Sequence, residues 1–142
     1  MEHYYYPGII LPMKEKWLDL LLSGKKTVEV RRTSPKIVVE RLYLYLRGHI
    51  HGYVEVKGYK AGKNPTDARL RQLAKEDARA AMLSQQEFVK YLSGSKTPIL
   101  YFVANPVRLK KPLLIADRPQ NFQYASYDLQ KLVERMEKGG EA

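Results

Sequence analysis

The chain has 142 residues, 44% hydrophobic and 28% charged, a size and balance that predict one globular domain with its own core over residues 1–142. It contains no cysteine, which excludes disulfides, thiolate nucleophiles and cysteine zinc sites and is compatible with a reducing compartment. The formal charge is +10, and residues 14 to 111 hold 21 Lys and Arg against 9 Asp and Glu, so the basic character belongs to the body of the chain. A basic body attracts polyanions, nucleic acid first among them, although many small proteins carry such charge only for solubility. The opening MEHYYYPGII has no basic region followed by an apolar one, and no apolar run approaches the roughly 20 residues that span a bilayer. A cytoplasmic monomer with no membrane contact is expected.

In chain order, Gly8 to Pro12 is a short apolar run closed by proline, consistent with a buried strand. From Lys14 the period changes: Trp17, Leu18, Leu21 and Leu22 recur at helical spacing, and Gly24 stands where a helix of residues 14 to 23 would end. Residues 27 to 32 then read as a strand, broken by Ser34-Pro35. Alternation sends Val28 and Val30 into a core and leaves Thr27, Glu29 and Arg31 on the opposite face. An acid thus lies between cations, beside a tight glycine turn carrying Lys25 and Lys26.

Two alternating strands follow, 41 to 47 and 50 to 57, joined by the short Arg47-Gly48-His49 link. Leu42, Leu44 and Leu46 share one face of the first, with Tyr43 and Tyr45 on the other. His49 and His51 share a strand face, but no third ligand lies near them, so no metal site is predicted. Residues 62 to 94 read as two helices. Asn64-Pro65 with Asp67 marks the start of the first, and Ser84-Gln85-Gln86-Glu87 is a capping box for the second. Arg71, Lys75 and Arg79 recur every four residues, a ridge that suits phosphates and equally suits a solvated face laced to Glu76 and Asp77. Buried strands are expected at 98 to 103, near 107 to 109 and at 113 to 115. Ser126 caps a final helix to about 138, striped by Leu129, Leu132, Val133 and Met136, after which Glu141 and Ala142 are expected to fray.

Glycine-rich nucleotide loops, HExxH and GxSxG are absent, and there are three histidines, so acid–base chemistry falls to carboxylates and lysines. No cofactor is implied. Lys26 can act as a base or nucleophile only where burial or neighbouring cations depress its pKa.

The run LPMKEKWLDLLLSGKKTVEVRR resembles the N-terminal signature of the ASCH domain family, an apolar strand leading through a short helix to G-x-K-x-x-E-x-R. Gly24, Lys26, Glu29 and Arg31 match it in register, and Pro119 to Tyr124 is similar to the family's late proline-glutamine-aromatic segment. The resemblance spans residues 8 to 125. It implies an α+β fold, a PUA-like mixed or antiparallel β-barrel with flanking helices, and a cleft that binds RNA or another nucleic acid. On that reading Lys26 and Arg31 hold a phosphate or base edge, Glu29 orients them or accepts from an exocyclic amine, and Lys14, Arg32, Arg71, Lys75 and Arg79 extend the positive track. Tyr45, Tyr53 or Tyr124 would stack a base.

The family also contains amidohydrolases that remove the acetyl group of N4-acetylcytidine through a lysine, a threonine and a glutamate. Lys26 matches the lysine, but Glu29 stands where the threonine would be, and Thr27 comes two residues early. Glu76 and Glu87 lie at plausible distance along the chain for the glutamate. If the protein is an enzyme, Lys26 and Glu29 are its candidate catalytic groups, acting on a modified nucleoside or on RNA.

Overall fold

A computed structural model describes residues 6–140, so the expected fraying of Glu141 and Ala142 lies outside the described residues. The elements run β1 (Gly8–Pro12), α1 (Glu15–Leu22), β2 (Val28–Arg31), β3 (Arg41–Leu46), β4 (His49–Ala61), α2 (Asp67–Asp77), α3 (Gln85–Leu92), β5 (Ile99–Leu114), β6 (Gln123–Tyr124) and α4 (Tyr127–Glu137). The six strands form one sheet in the order β2-β5-β4-β3-β1-β6. Among the described strands β1 and β3 pair in parallel and the other strand pairings are antiparallel, with a lone parallel bridge between Thr33 and Thr97 outside them. The α+β barrel expected from the sequence takes the form of a curled half-barrel.

Local sequence explains most boundaries. Arg47 and Gly48 both have positive φ, at 49° and 84°, as a two-residue type I′ turn requires, and they join β3 to β4 directly. Ser84 and Glu87 exchange hydrogen bonds at the head of α3, and Ser126 Oγ accepts from Leu129 N at 3.1 Å at the head of α4. The head of α2 differs from expectation. Thr66 is its N-cap, accepting from Arg69 N at 3.1 Å, while Asn64 turns the chain with φ 45°. The three short strands expected after residue 98 are one strand, β5. Its ladder to β4 survives three register shifts, which absorb the curl of the long pair.

Side chains on the sheet alternate between two covered faces. Ile9, Leu11, Leu42 and Leu44 pack with Leu18, Leu21 and Leu22 of α1 on one side. Ile10, Tyr43 and Ile50 pack with Leu129, Val133 and Met136 of α4 on the other. A third cluster joins Val28, Val30 and Leu100 to Leu70 and Leu73 of α2 and Phe88 and Leu92 of α3. Tyr43, on the face of β3 opposite its leucines, is fully buried. Among the described residues no helix is long and apolar enough to cross a membrane.

Candidate functional site

The α1 helix ends through Ser23 and Gly24, whose φ of +80° is open to glycine and strained for a side chain. This turn lets Lys26 N donate back to Leu20 O at 3.0 Å and aims the Lys26 side chain inward. The chain then enters β2 with Val28 and Val30 facing α2 and α3, as alternation predicts. Glu29, opposite Tyr101 in the ladder, turns to the other side. The consequence is an ion cluster largely withdrawn from water: Lys26 is 3% exposed and Glu29 5%, while Arg31 is half-buried.

Its geometry is tight. Lys26 Nζ donates to Ala81 O at 2.6 Å, lies 3.6 Å from Glu29 Oε1, and sits 4.8 Å from the centre of the Trp17 ring. Arg31 Nε donates to Glu29 Oε2 at 3.0 Å, and its Nη2 donates to Pro12 O at 2.8 Å. Burial pushes the Lys26 amine below its ordinary pKa of 10.5, while the nearby Glu29 carboxylate opposes the shift. The cluster forms one wall of a concave hollow of about 430 Å³. Trp17 of α1 and Leu83, Glu87 and Tyr91 around α3 form the others, with Lys14 at the exposed rim.

Lys14, Lys26, Glu29 and Arg31 therefore meet at one hollow, and the remaining residues singled out from the sequence do not. The Arg32 guanidinium donates to the carbonyls of Tyr91 and Ser93, closing the C-terminal end of α3. Tyr53 is 5% exposed, its hydroxyl donating to Glu137 Oε1 at 2.5 Å and its ring covered by Arg41 at 4.2 Å. Burial raises its pKa, and the ring is core rather than a free stacking face. Tyr45 is half-buried against the α4 cluster. Tyr124 is exposed on β6, where its hydroxyl accepts from Lys36 N at 2.9 Å. Arg71 and Lys75 line a separate groove between α2 and α3. Arg79 falls beyond the end of α2 and drops out of the expected ridge.

The two glutamates considered for catalysis separate cleanly. Glu76 pairs with Lys60 at 3.5 Å on the surface. Glu87 does reach the hollow, but its Oε1 accepts from Ser84 N at 3.0 Å, and that backbone N–H holds the carboxyl below its usual range. Thr27 is exposed and takes no part in the wall. Sequence reasoning missed Tyr91 and Leu83 and treated Trp17 as a core residue. The lone tryptophan one helix before the charged motif was an available signal for Trp17; nothing local marks Tyr91.

A curled mixed sheet, with helices packed beside β2 and a polar hollow where α1 hands over to that strand, defines a PUA-like domain. The sequence model of the ASCH domain matches residues 11–112, and the chain belongs to that family. Among solved structures it is similar to ASCH from Zymomonas mobilis at 21% identity and a TM-score of 0.71, over 89% of this chain and 94% of that one. A serine-to-alanine variant of the same bacterial protein matches at 20% identity and a TM-score of 0.72, over 89% of this chain and 94% of that one. Its tyrosine-to-phenylalanine variant matches at 20% and 0.71, over 89% and 96%. No curated protein matches the chain.

Proposed function

We propose that this chain binds RNA by taking one nucleotide's base into the hollow at the head of β2. The observation that carries the reading is the buried Lys26–Glu29–Arg31 cluster on the wall of a concave space of about 430 Å³. That volume falls within the ~300–1,000 Å³ of small-molecule sites, and it combines apolar and aromatic walls with five charged side chains, Lys14, Lys26, Glu29, Arg31 and Glu87. Glu29 supplies an acceptor for an exocyclic amine, and Arg31 and Lys26 supply donors for ring nitrogens and carbonyls. Trp17 and Tyr91 offer ring surfaces against which a base can stack. Lys14 stands at the rim for the phosphate.

The chain has a single tryptophan, and it lines the hollow, so its fluorescence reports occupancy directly. Titration with single-stranded RNA should quench it, with an affinity that falls steeply with salt and drops at least about tenfold in Lys26→Ala. Binding indifferent to both salt and this substitution overturns the reading.

A second reading, hydrolysis of a modified nucleoside such as N4-acetylcytidine, draws on one specific observation. Lys26 is buried and its pKa depressed, the condition under which a lysine becomes a base or nucleophile. Glu29 in place of the deacetylase threonine argues against transferring that mechanism unchanged. Incubation with N4-acetylcytidine and with RNA, followed by product analysis, decides: absence of turnover, or turnover that persists in the Lys26→Ala/Glu29→Ala double variant, removes the enzyme reading.

A further inference from the structure

We propose that the groove between α2 and α3 is a phosphate track, which holds the RNA backbone after the strand has crossed α3 from the nucleotide hollow. The groove measures about 730 Å³. Arg71 and Lys75 stand on successive turns of α2 along one bank, and Lys90 of α3 stands on the other. None of the three cations lies within ion-pairing distance of a carboxylate among the described residues.

The charges of α2 are segregated, and this separates the groove from an ordinary solvated face. On one flank Glu76 and Asp77 are both engaged with Lys60 of β4, at 3.5 and 2.7 Å. The other flank is left with Arg71 and Lys75, and the only acid on the groove wall is Asp67 at its end. Arg71 has an acid at helical spacing, Asp67 four residues before it, but the two form no ion pair, and neither Lys75 nor Lys90 has an acid four residues away. A face that carried charge for solubility alone would pair each cation with an acid at that spacing.

The α3 helix places the groove beside the hollow. Its Glu87 and Tyr91 line the hollow, and its Gln86 and Lys90 line the groove. A helix with its side chains is only ~10–12 Å across, so a strand whose base sits in the hollow needs to pass over one helix to lay phosphates along the cations. An acidic amphipathic peptide fits less well. Such a helix needs apolar anchors docked at successive turns, and the apolar floor here comes down to Ala74 and Val89.

The proposal relies on the RNA reading for the identity of the polymer, and the test separates the two. Wild type and an Arg71→Gln/Lys75→Gln/Lys90→Gln variant are titrated with the four free ribonucleosides and with a mixed-sequence RNA of about 12 nucleotides, inside the ~4–16 range of single-strand modules. All three side chains are exposed, so the variant should keep its melting temperature. Nucleoside affinity should be unchanged, RNA affinity should fall at least about tenfold at low salt, and the slope of log K against log salt should flatten by about 2, as ~0.7 per lost phosphate contact gives. RNA affinity and slope unaltered in the variant overturn the track. A flattened slope in a protein whose hollow binds no nucleoside keeps the track and removes the nucleotide hollow. Poly-glutamate bound through these cations, with RNA not bound, overturns the track in favour of an acidic protein partner.

Discussion

Lys26 and Glu29 are charged side chains held almost out of water, an arrangement whose desolvation cost is offset only while each keeps its partners. Glu29→Gln leaves Lys26 with a neutral neighbour and should cost about 3 kcal/mol, seen as a lowered denaturant midpoint without a change in m-value. Lys26 also makes stability depend on pH in a definite direction. Its pKa in the folded chain lies below the 10.5 it regains on unfolding, so between those two values the unfolded chain binds more protons and stability rises with pH. Chemical denaturation at pH 7, 8.5 and 10 should show wild type gaining on Lys26→Met as pH rises; raised tyrosine pKa values affect both proteins alike and cancel. Parallel curves would mean that the buried amine is not shifted. The charge pattern of this site was legible, because Glu29 and Arg31 alternate with Val28 and Val30 and can be counted off the chain, although Thr27, counted with them, lies before β2 and outside the wall. Its burial was not, because the carbonyl of Ala81 and the walls formed by Leu83 and Tyr91 come from more than fifty residues away.

At the scale of elements, signals confined to a few neighbours read well and those set by distant partners did not. Both serine caps were visible as motifs, and Ser84→Ala should cost about 1 kcal/mol. The same substitution should reduce affinity at the hollow, since Ser84 fixes Glu87 and the first turn of α3. The far end of that helix is held by Arg32, whose guanidinium donates to the carbonyls of Tyr91 and Ser93 and whose own carbonyl accepts from Ser95 Oγ at 2.5 Å. In sequence Arg32 is one more cation beside Arg31. In the fold it holds in place the turn that presents Tyr91, so Arg32→Ala should weaken nucleoside binding while leaving the salt slope for RNA unchanged, as a positioning residue rather than a phosphate contact requires. The fusion of three expected strands into β5 has a similar origin. Asn105 and Pro106 fall in the gap left between the first two expected strands, and the register shifts against β4 carry the ladder past them. Gly52 lies in that ladder where a Cβ would come within 2.2 Å of Val107 O. Gly52→Ala must therefore push the central strands β4 and β5 apart, and should cost about 3 kcal/mol or abolish folding, measured by thermal melting.

For the molecule as a whole, both faces of the sheet around β1 and β3 carry a core: α1 packs on one side and α4 on the other. This double coverage is why strand alternation gave the right partition but the wrong meaning for Tyr53, expected to stack a base and found in the core. A strand that alternates leucine with tyrosine looks half-solvated until a helix further along the chain supplies the second core. The same architecture places α4 away from the hollow, so stability and binding should separate there. Tyr53→Phe removes the hydroxyl that donates to Glu137 and should cost about 1 kcal/mol, with RNA affinity unchanged. Deleting residues 126–142 is the severe test, because it bares Ile10, Tyr43, Ile50, Leu109 and Leu113 together, a contiguous apolar surface larger than monomeric proteins tolerate. The truncated chain should bind a hydrophobic dye, run as aggregate in gel filtration and lose its cooperative melt. A truncated chain that remains monomeric, melts as wild type does and still binds RNA would show that the α4 face is not part of the folding unit, and that the hollow is supported by α1, α2 and α3 alone.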